Sequence, residues 1–130
     1  MENNIQTKIL IVEDDKFLRD LISQKLQREN FLIVSAMNGE EGLEKAKTEH
    51  PAIILLDLIL PGMDGFDVLR SLKKDMGAVM PPVIVLSNLG QKEDMERAFR
   101  EGAEDYMVKA HFTPGEIVAK IKAVLKKRYF

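Results

Sequence analysis

The chain has 130 residues, 45% hydrophobic and 31% charged, which suits one compact domain and excludes both a multi-domain assembly and a disordered chain. Its 19 Lys and Arg against 21 Asp and Glu leave a formal charge of -2, so no global basic field holds nucleic acid by counterion release. The absence of cysteine excludes disulfides, thiolate metal sites and Cys nucleophiles, and no apolar run reaches the roughly 18 residues of a membrane span.

Lys8 to Val12 is an aliphatic run stopped by Glu13-Asp14-Asp15, and an unbroken run of this kind reads as a strand buried on both faces. Leu18, Leu21, Ile22 and Leu26 then recur at helical spacing, with Arg19, Asp20, Gln24 and Lys25 mostly between them, up to an end near Glu29-Asn30. Phe31 to Ala36 forms a second strand, Asn38-Gly39 a turn, and Glu40 to Glu49 a helix marked by Leu43 and Ala46 and stopped by His50-Pro51. Ala52 to Asp57 is a third strand that ends in an acid, followed by loop residues from Leu60 to Gly65. Asp64 caps a third helix with Phe66, Leu69 and Leu72 inward, broken at Gly77 and Pro81-Pro82.

Val83 to Ser87 is the fourth strand. Met95, Ala98, Phe99 and Gly102 share one face of a fourth helix, and Asp105 to Lys109 is a short fifth strand. Thr113-Pro114 opens the last helix, whose inward stripe is Ile117, Ile121, Val124 and Leu125 and whose end carries Lys126-Lys127-Arg128. No linker, repeat or low-complexity tract interrupts residues 1–130. Five strands alternating with five helices imply one parallel sheet covered by helices on both faces. The start Met1-Glu-Asn-Asn lacks a signal peptide's basic region, so a cytoplasmic protein without membrane insertion is expected.

Sites in such sheets form beyond the carboxyl ends of the strands. Here those ends are Glu13-Asp14, Asp57, Ser87 and Lys109, all on one edge. Singly, each acid reads as a helix cap or solvated turn, Lys109 as a solvated charge, and Ser87 says nothing. Together, three acids repel unless a cation sits among them, and hard carboxylate oxygens without His or Cys suit Mg²⁺. Lys109, the Ser87 hydroxyl and backbone N–H groups after the fourth strand complete a site for phosphoryl transfer to a carboxylate nucleophile.

Ile-Leu-Ile-Val-Glu-Asp-Asp at 9–15, Asp57-Leu-Ile-Leu-Pro-Gly-Met-Asp-Gly65, Val-Ile-Val-Leu-Ser87 and Asp105-Tyr-Met-Val-Lys109 together resemble the receiver domain of two-component response regulators, of the single-domain chemotaxis type. The resemblance covers about Lys8 to Lys127. It implies a doubly wound, flavodoxin-like (βα)5 fold with strand order 2-1-3-4-5, and a signalling switch rather than an enzyme in its own right. It also implies that Asp57 accepts a phosphoryl group from a sensor histidine kinase, a histidine phosphotransfer protein or a small phosphodonor. Asp14 is implied to bind Mg²⁺ directly and Glu13 through water, with Asp57 and the Ile59 carbonyl completing the set. Lys109 is implied to pair with the phosphoryl group, Ser87 to hydrogen-bond it, and Tyr106 to change rotamer with that movement, although a half-buried core aromatic is the plainer reading of Tyr106. Asp15 reads as a helix cap.

The family usually has Pro after the lysine, often through a cis bond, whereas Ala110 stands here. A cis bond without Pro costs about 3–4 kcal/mol, so the loop is either trans and differently routed or strained. Ile59 and Leu89 flank the site at positions that govern water access in the family, and two apolar residues predict a long-lived phosphoryl group. The output is expected to lie in a separate molecule or in sequence beyond this chain. Its contact face, in the family the fourth helix, fifth strand and fifth helix, includes Arg97, Arg100 and Lys122. That face is equally readable as solvated charge, and the resemblance leaves a phosphorylation-dependent dimer open. The competing readings are a receiver-like interaction module that is never phosphorylated, which predicts gaps in the constellation, and an aspartyl-phosphate hydrolase, which wants an acid where Ile59 stands. A nucleotide site wants a Gly-rich loop where Glu13-Asp14-Asp15 stands.

Overall fold

A computed structural model describes residues 7–129; Met1–Asn4, read above for a leader, and Phe130 lie outside them. The strands are β1 (Lys8–Val12), β2 (Leu32–Ala36), β3 (Ile53–Leu56), β4 (Val83–Ser87) and β5 (Asp105–Val108). The helices are α1 (Lys16–Arg28), α2 (Gly39–Thr48), α3 (Gly65–Met76), α4 (Lys92–Arg100) and α5 (Pro114–Tyr129), with short 3₁₀ turns at Gly77–Val79 and Lys109–His111. The strands are parallel in the order β2-β1-β3-β4-β5.

Alternate residues of the central strands point to opposite faces, which is why their sequences are apolar without interruption. Leu10, Val12, Ile54, Leu56, Val83 and Val85 join Phe66, Leu69, Leu72 and Ala98 in one core layer. Ile9, Ile11, Ile53, Leu55, Ile84 and Leu86 join Ile22, Leu26, Ile117 and Ile121 in the other. Each fully buried Leu or Ile of these layers contributes about 2 kcal/mol of transfer free energy.

Helix boundaries follow local chemistry. Asp15, Asn38 and Asp64 cap α1, α2 and α3 by accepting from the N–H groups of Leu18, Glu41 and Asp67. Thr113 and Glu116 cap α5 reciprocally, the Thr113 N–H donating to Glu116 Oε1 at 2.8 Å and the Glu116 N–H to Thr113 Oγ1 at 3.1 Å. Asn30 (φ 70°) and His50 (φ 51°) take the left-handed conformation that ends α1 and α2.

Four expectations are corrected. Arg19 is buried at 7% exposure rather than lying on a solvent face, because its position falls on the buried stripe with Ile22 and Leu26. Phe99 is 48% exposed and Gly102 lies past the end of α4, so among the described residues only Ala98 of that helix is fully inward. Val118 joins the buried stripe of α5, which the spacing alone did not assign. Phe31, Ala52, Asp57 and Lys109, assigned above to strands, each fall one residue outside, where the ladder pairing ends.

Candidate functional site

Strand register brings the site together. Val12 is level with Leu56, so Glu13 and Asp57, the next residues, leave the sheet side by side, and the Asp57 N–H donates to the Val12 carbonyl at 3.0 Å. Ser87 is level with Val108, which sets Lys109 one residue beyond it on the same edge. Asp57 is 4% exposed and Glu13 3%, and Ser87 is fully buried, whereas Asp14 is exposed.

The Lys109 ammonium bridges the two buried acids, at 2.7 Å from Asp57 Oδ2 and 2.8 Å from Glu13 Oε1. Asp57 Oδ1 accepts from the Ile59 N–H at 3.1 Å, and Glu13 Oε2 from the Asp15 N–H at 3.1 Å. Burial pushes the Glu13 carboxyl up to about 7, and the Asp57 charge adds to this, against the opposing bonds from Lys109 and Asp15. Burial works against the Lys109 ammonium too, but its bonds to Asp57 and Glu13 outweigh it, so its pKa is raised above the ordinary value. The peptide bonds of the described residues are all trans, Lys109–Ala110 included, and a 3₁₀ turn over Lys109–His111 carries the chain away. Lys109 therefore reaches Asp57 without a proline.

One carboxylate oxygen each from Glu13, Asp14 and Asp57 lies within 4.8 Å of the others. An all-oxygen set of this compactness fits a hard divalent cation.

Ser87 and Tyr106 meet on Leu89. The Leu89 N–H donates to Ser87 Oγ at 3.3 Å and its carbonyl accepts from the Tyr106 hydroxyl. Burial, followed by the charges of Asp94 and Asp57, pushes the Tyr106 phenol up to about 12. Tyr106 is half-buried and packs against the α3-side core layer, so its plainer reading also holds in part. Ile59 is 55% exposed at the mouth and Leu89 is half-buried. On α4, Arg97 stacks over the Phe66 ring, 4.0 Å from its centroid, whereas Lys122, expected above on the α4–β5–α5 face, lies on the α1 side of α5 and pairs with Glu29.

Sequence reasoning missed Arg19, whose Nη1 donates to the Glu13 carbonyl at 2.7 Å. The signal was present: a basic residue at i−3 from Ile22 and i−7 from Leu26 occupies an apolar-stripe position.

The open parallel sheet, with three clustered acids and a paired lysine beyond its carboxyl edge, is a doubly wound α/β fold with its candidate site at the carboxyl ends of the strands. The response regulator receiver domain family matches residues 9–122, and the chain belongs to it as a phosphorelay receiver. It is 37% identical to the transcriptional regulatory protein ResD of Bacillus subtilis over 98% of this chain and 51% of that protein. It is 40% identical to SrrA of Staphylococcus aureus over 95% of this chain and 49% of that protein. The chain thus spans about half the length of the curated relatives it matches. Among solved structures, the CheX-CheY-BeF3-Mg²⁺ complex from Borrelia burgdorferi matches with a TM-score of 0.83 at 28% identity, over 92% of this chain and 90% of that one. No helix of the described residues is long and apolar enough to cross a membrane.

Proposed function

We propose that residues 1–130 form one receiver domain in which Asp57 is the phosphoacceptor. A carboxylate oxygen of Asp57 attacks the phosphorus of a phosphohistidine on a sensor kinase or phosphotransfer protein. The P–O bond forms as the P–N bond breaks, and the imidazole leaves with the electron pair. The observation that carries this reading is the convergence of the Glu13, Asp14 and Asp57 carboxylates within 4.8 Å.

Glu13, Asp14 and Asp57, with the Ile59 carbonyl, would hold Mg²⁺, the ion named with BeF3 in the Borrelia complex. When bound it supplies the positive charge that offsets the phosphoryl oxygens. Lys109 places a second positive charge at Asp57 and orients its carboxylate. Ser87 and Tyr106 hold the two peptide groups that flank Leu89, so a phosphoryl group that draws the Ser87 hydroxyl toward itself loosens the β4–α4 loop. The protein acts in the cytoplasm as a switch that assists its own phosphorylation and dephosphorylation and controls an output partner through the α4–β5–α5 face. Phosphorylation-dependent dimerisation belongs to the same reading.

The test is an intact mass spectrum after incubation with acetyl phosphate and Mg²⁺, beside Asp57→Asn and a chelator control. A gain of one phosphoryl group, lost in both controls, supports the reading. No gain from either acetyl phosphate or a phosphorylated cognate kinase overturns it in favour of an interaction module.

A further inference from the structure

We propose that Arg19 is a positioning residue for the acidic pocket: its guanidinium holds the Glu13 carbonyl so that Glu13 and Asp14 present their carboxylates to a divalent cation. The inference rests on the cation site proposed above. Arg19 is 7% exposed, and a buried guanidinium is retained only where its hydrogen bonds and charge are answered. Its Nη1 reaches the Glu13 carbonyl at 2.7 Å, six residues back across the β1–α1 turn.

That bond completes the restraint of Glu13. The Glu13 N–H donates to the Ala36 carbonyl at 3.0 Å, its carbonyl accepts from Arg19, and its carboxylate accepts from the Asp15 N–H and the Lys109 ammonium. The carbonyl held by Arg19 belongs to the Glu13–Asp14 peptide plane, so fixing it fixes the direction in which Asp14 leaves the strand. Asp14 is the exposed member of the acidic cluster, so the strand backbone before it sets where its carboxylate starts.

The sign of the effect separates positioning from simple charge. A cationic side chain beside a cation site repels the cation, so Arg19 acting only through its charge would make a neutral substitution bind Mg²⁺ more tightly. Positioning predicts the opposite sign, weaker binding when Arg19 is made neutral.

The experiment is isothermal titration of the full chain with Mg²⁺ alone, for wild type, Arg19→Met and Arg19→Lys, with urea denaturation in chelator as a separate measure of folding. Loss of groups that orient metal ligands costs about tenfold or more in affinity, so Arg19→Met is expected to bind about tenfold more weakly. Arg19→Lys, which keeps a donor, is expected to recover most of that loss. An Arg19→Met dissociation constant equal to or tighter than wild type overturns the proposal, even if the variant is less stable. Arg19→Gln carries the same expectation should Arg19→Met fail to fold. Wild type that takes up no Mg²⁺ overturns the cation site itself, and the role of Arg19 with it.

Discussion

Lys109 Nζ lies 2.7 Å from Asp57 Oδ2, joining the end of β5 to the end of β3 across the carboxyl edge of the sheet. The same ammonium also serves Glu13, so two buried acids depend on one cation. Lys109→Met removes the partner and leaves both acids buried, a change that costs about 3 kcal/mol or more. We expect urea denaturation in chelator to show that loss, and added Mg²⁺ to restore much of it, because the metal answers the same charges.

Gly65 is a second point of dependence. A Cβ built there meets the Asp57 carbonyl oxygen at 2.4 Å and Leu58 Cα at 2.5 Å, both backbone atoms that cannot swing aside. Gly65→Ala therefore shifts the β3–α3 turn that carries Asp57. We expect about 3 kcal/mol of destabilisation and slower phosphorylation by acetyl phosphate, measured by chemical denaturation and by intact mass.

Tyr106 predicts an alkaline effect. Its phenol is pushed up to about 12 from an ordinary 10.0, first by burial and then by Asp94 and Asp57. Below pH 10 both folded and unfolded chains keep the proton. As pH rises from about 10 to about 12 the unfolded chain releases it first, so the contribution to stability present below that window is lost across it. Stability of wild type should fall more steeply over this window than that of Tyr106→Phe, as followed by denaturation at stepped pH.

Ile59 and Leu89 predict the lifetime of the phosphoryl group. Both are apolar, with Ile59 held to Asp57 Oδ1 through its N–H, and neither side chain can orient a water that attacks a phosphoryl group on Asp57. The double variant Ile59→Asn, Leu89→Glu should dephosphorylate about tenfold faster, equivalent to about 1.4 kcal/mol of barrier. A wild-type phosphoryl lifetime as short as the variant's removes the argument.

Much of this was legible in the linear order. Apolar runs ending in Glu13, Asp57 and Ser87 marked the strands and the edge where chemistry gathers, since parallel strands bury both faces and place their polar ends on one side. Asp15 and Asp64 declared themselves as caps for equally local reasons, and the structure bears both out. What only the tertiary structure decided depends on contacts between residues far apart in sequence. The register of β1 against β3 sets Glu13 beside Asp57, and Lys109, from the end of β5, reaches both acids with a trans bond to Ala110. Phe99 lies outward while Ala98 beside it is buried, and Arg19 lies inward with its Nη1 bonded to the Glu13 carbonyl. Helical spacing tells which residues share a face; whether that face meets a core, a partner group or water is settled by what the rest of the chain brings against it.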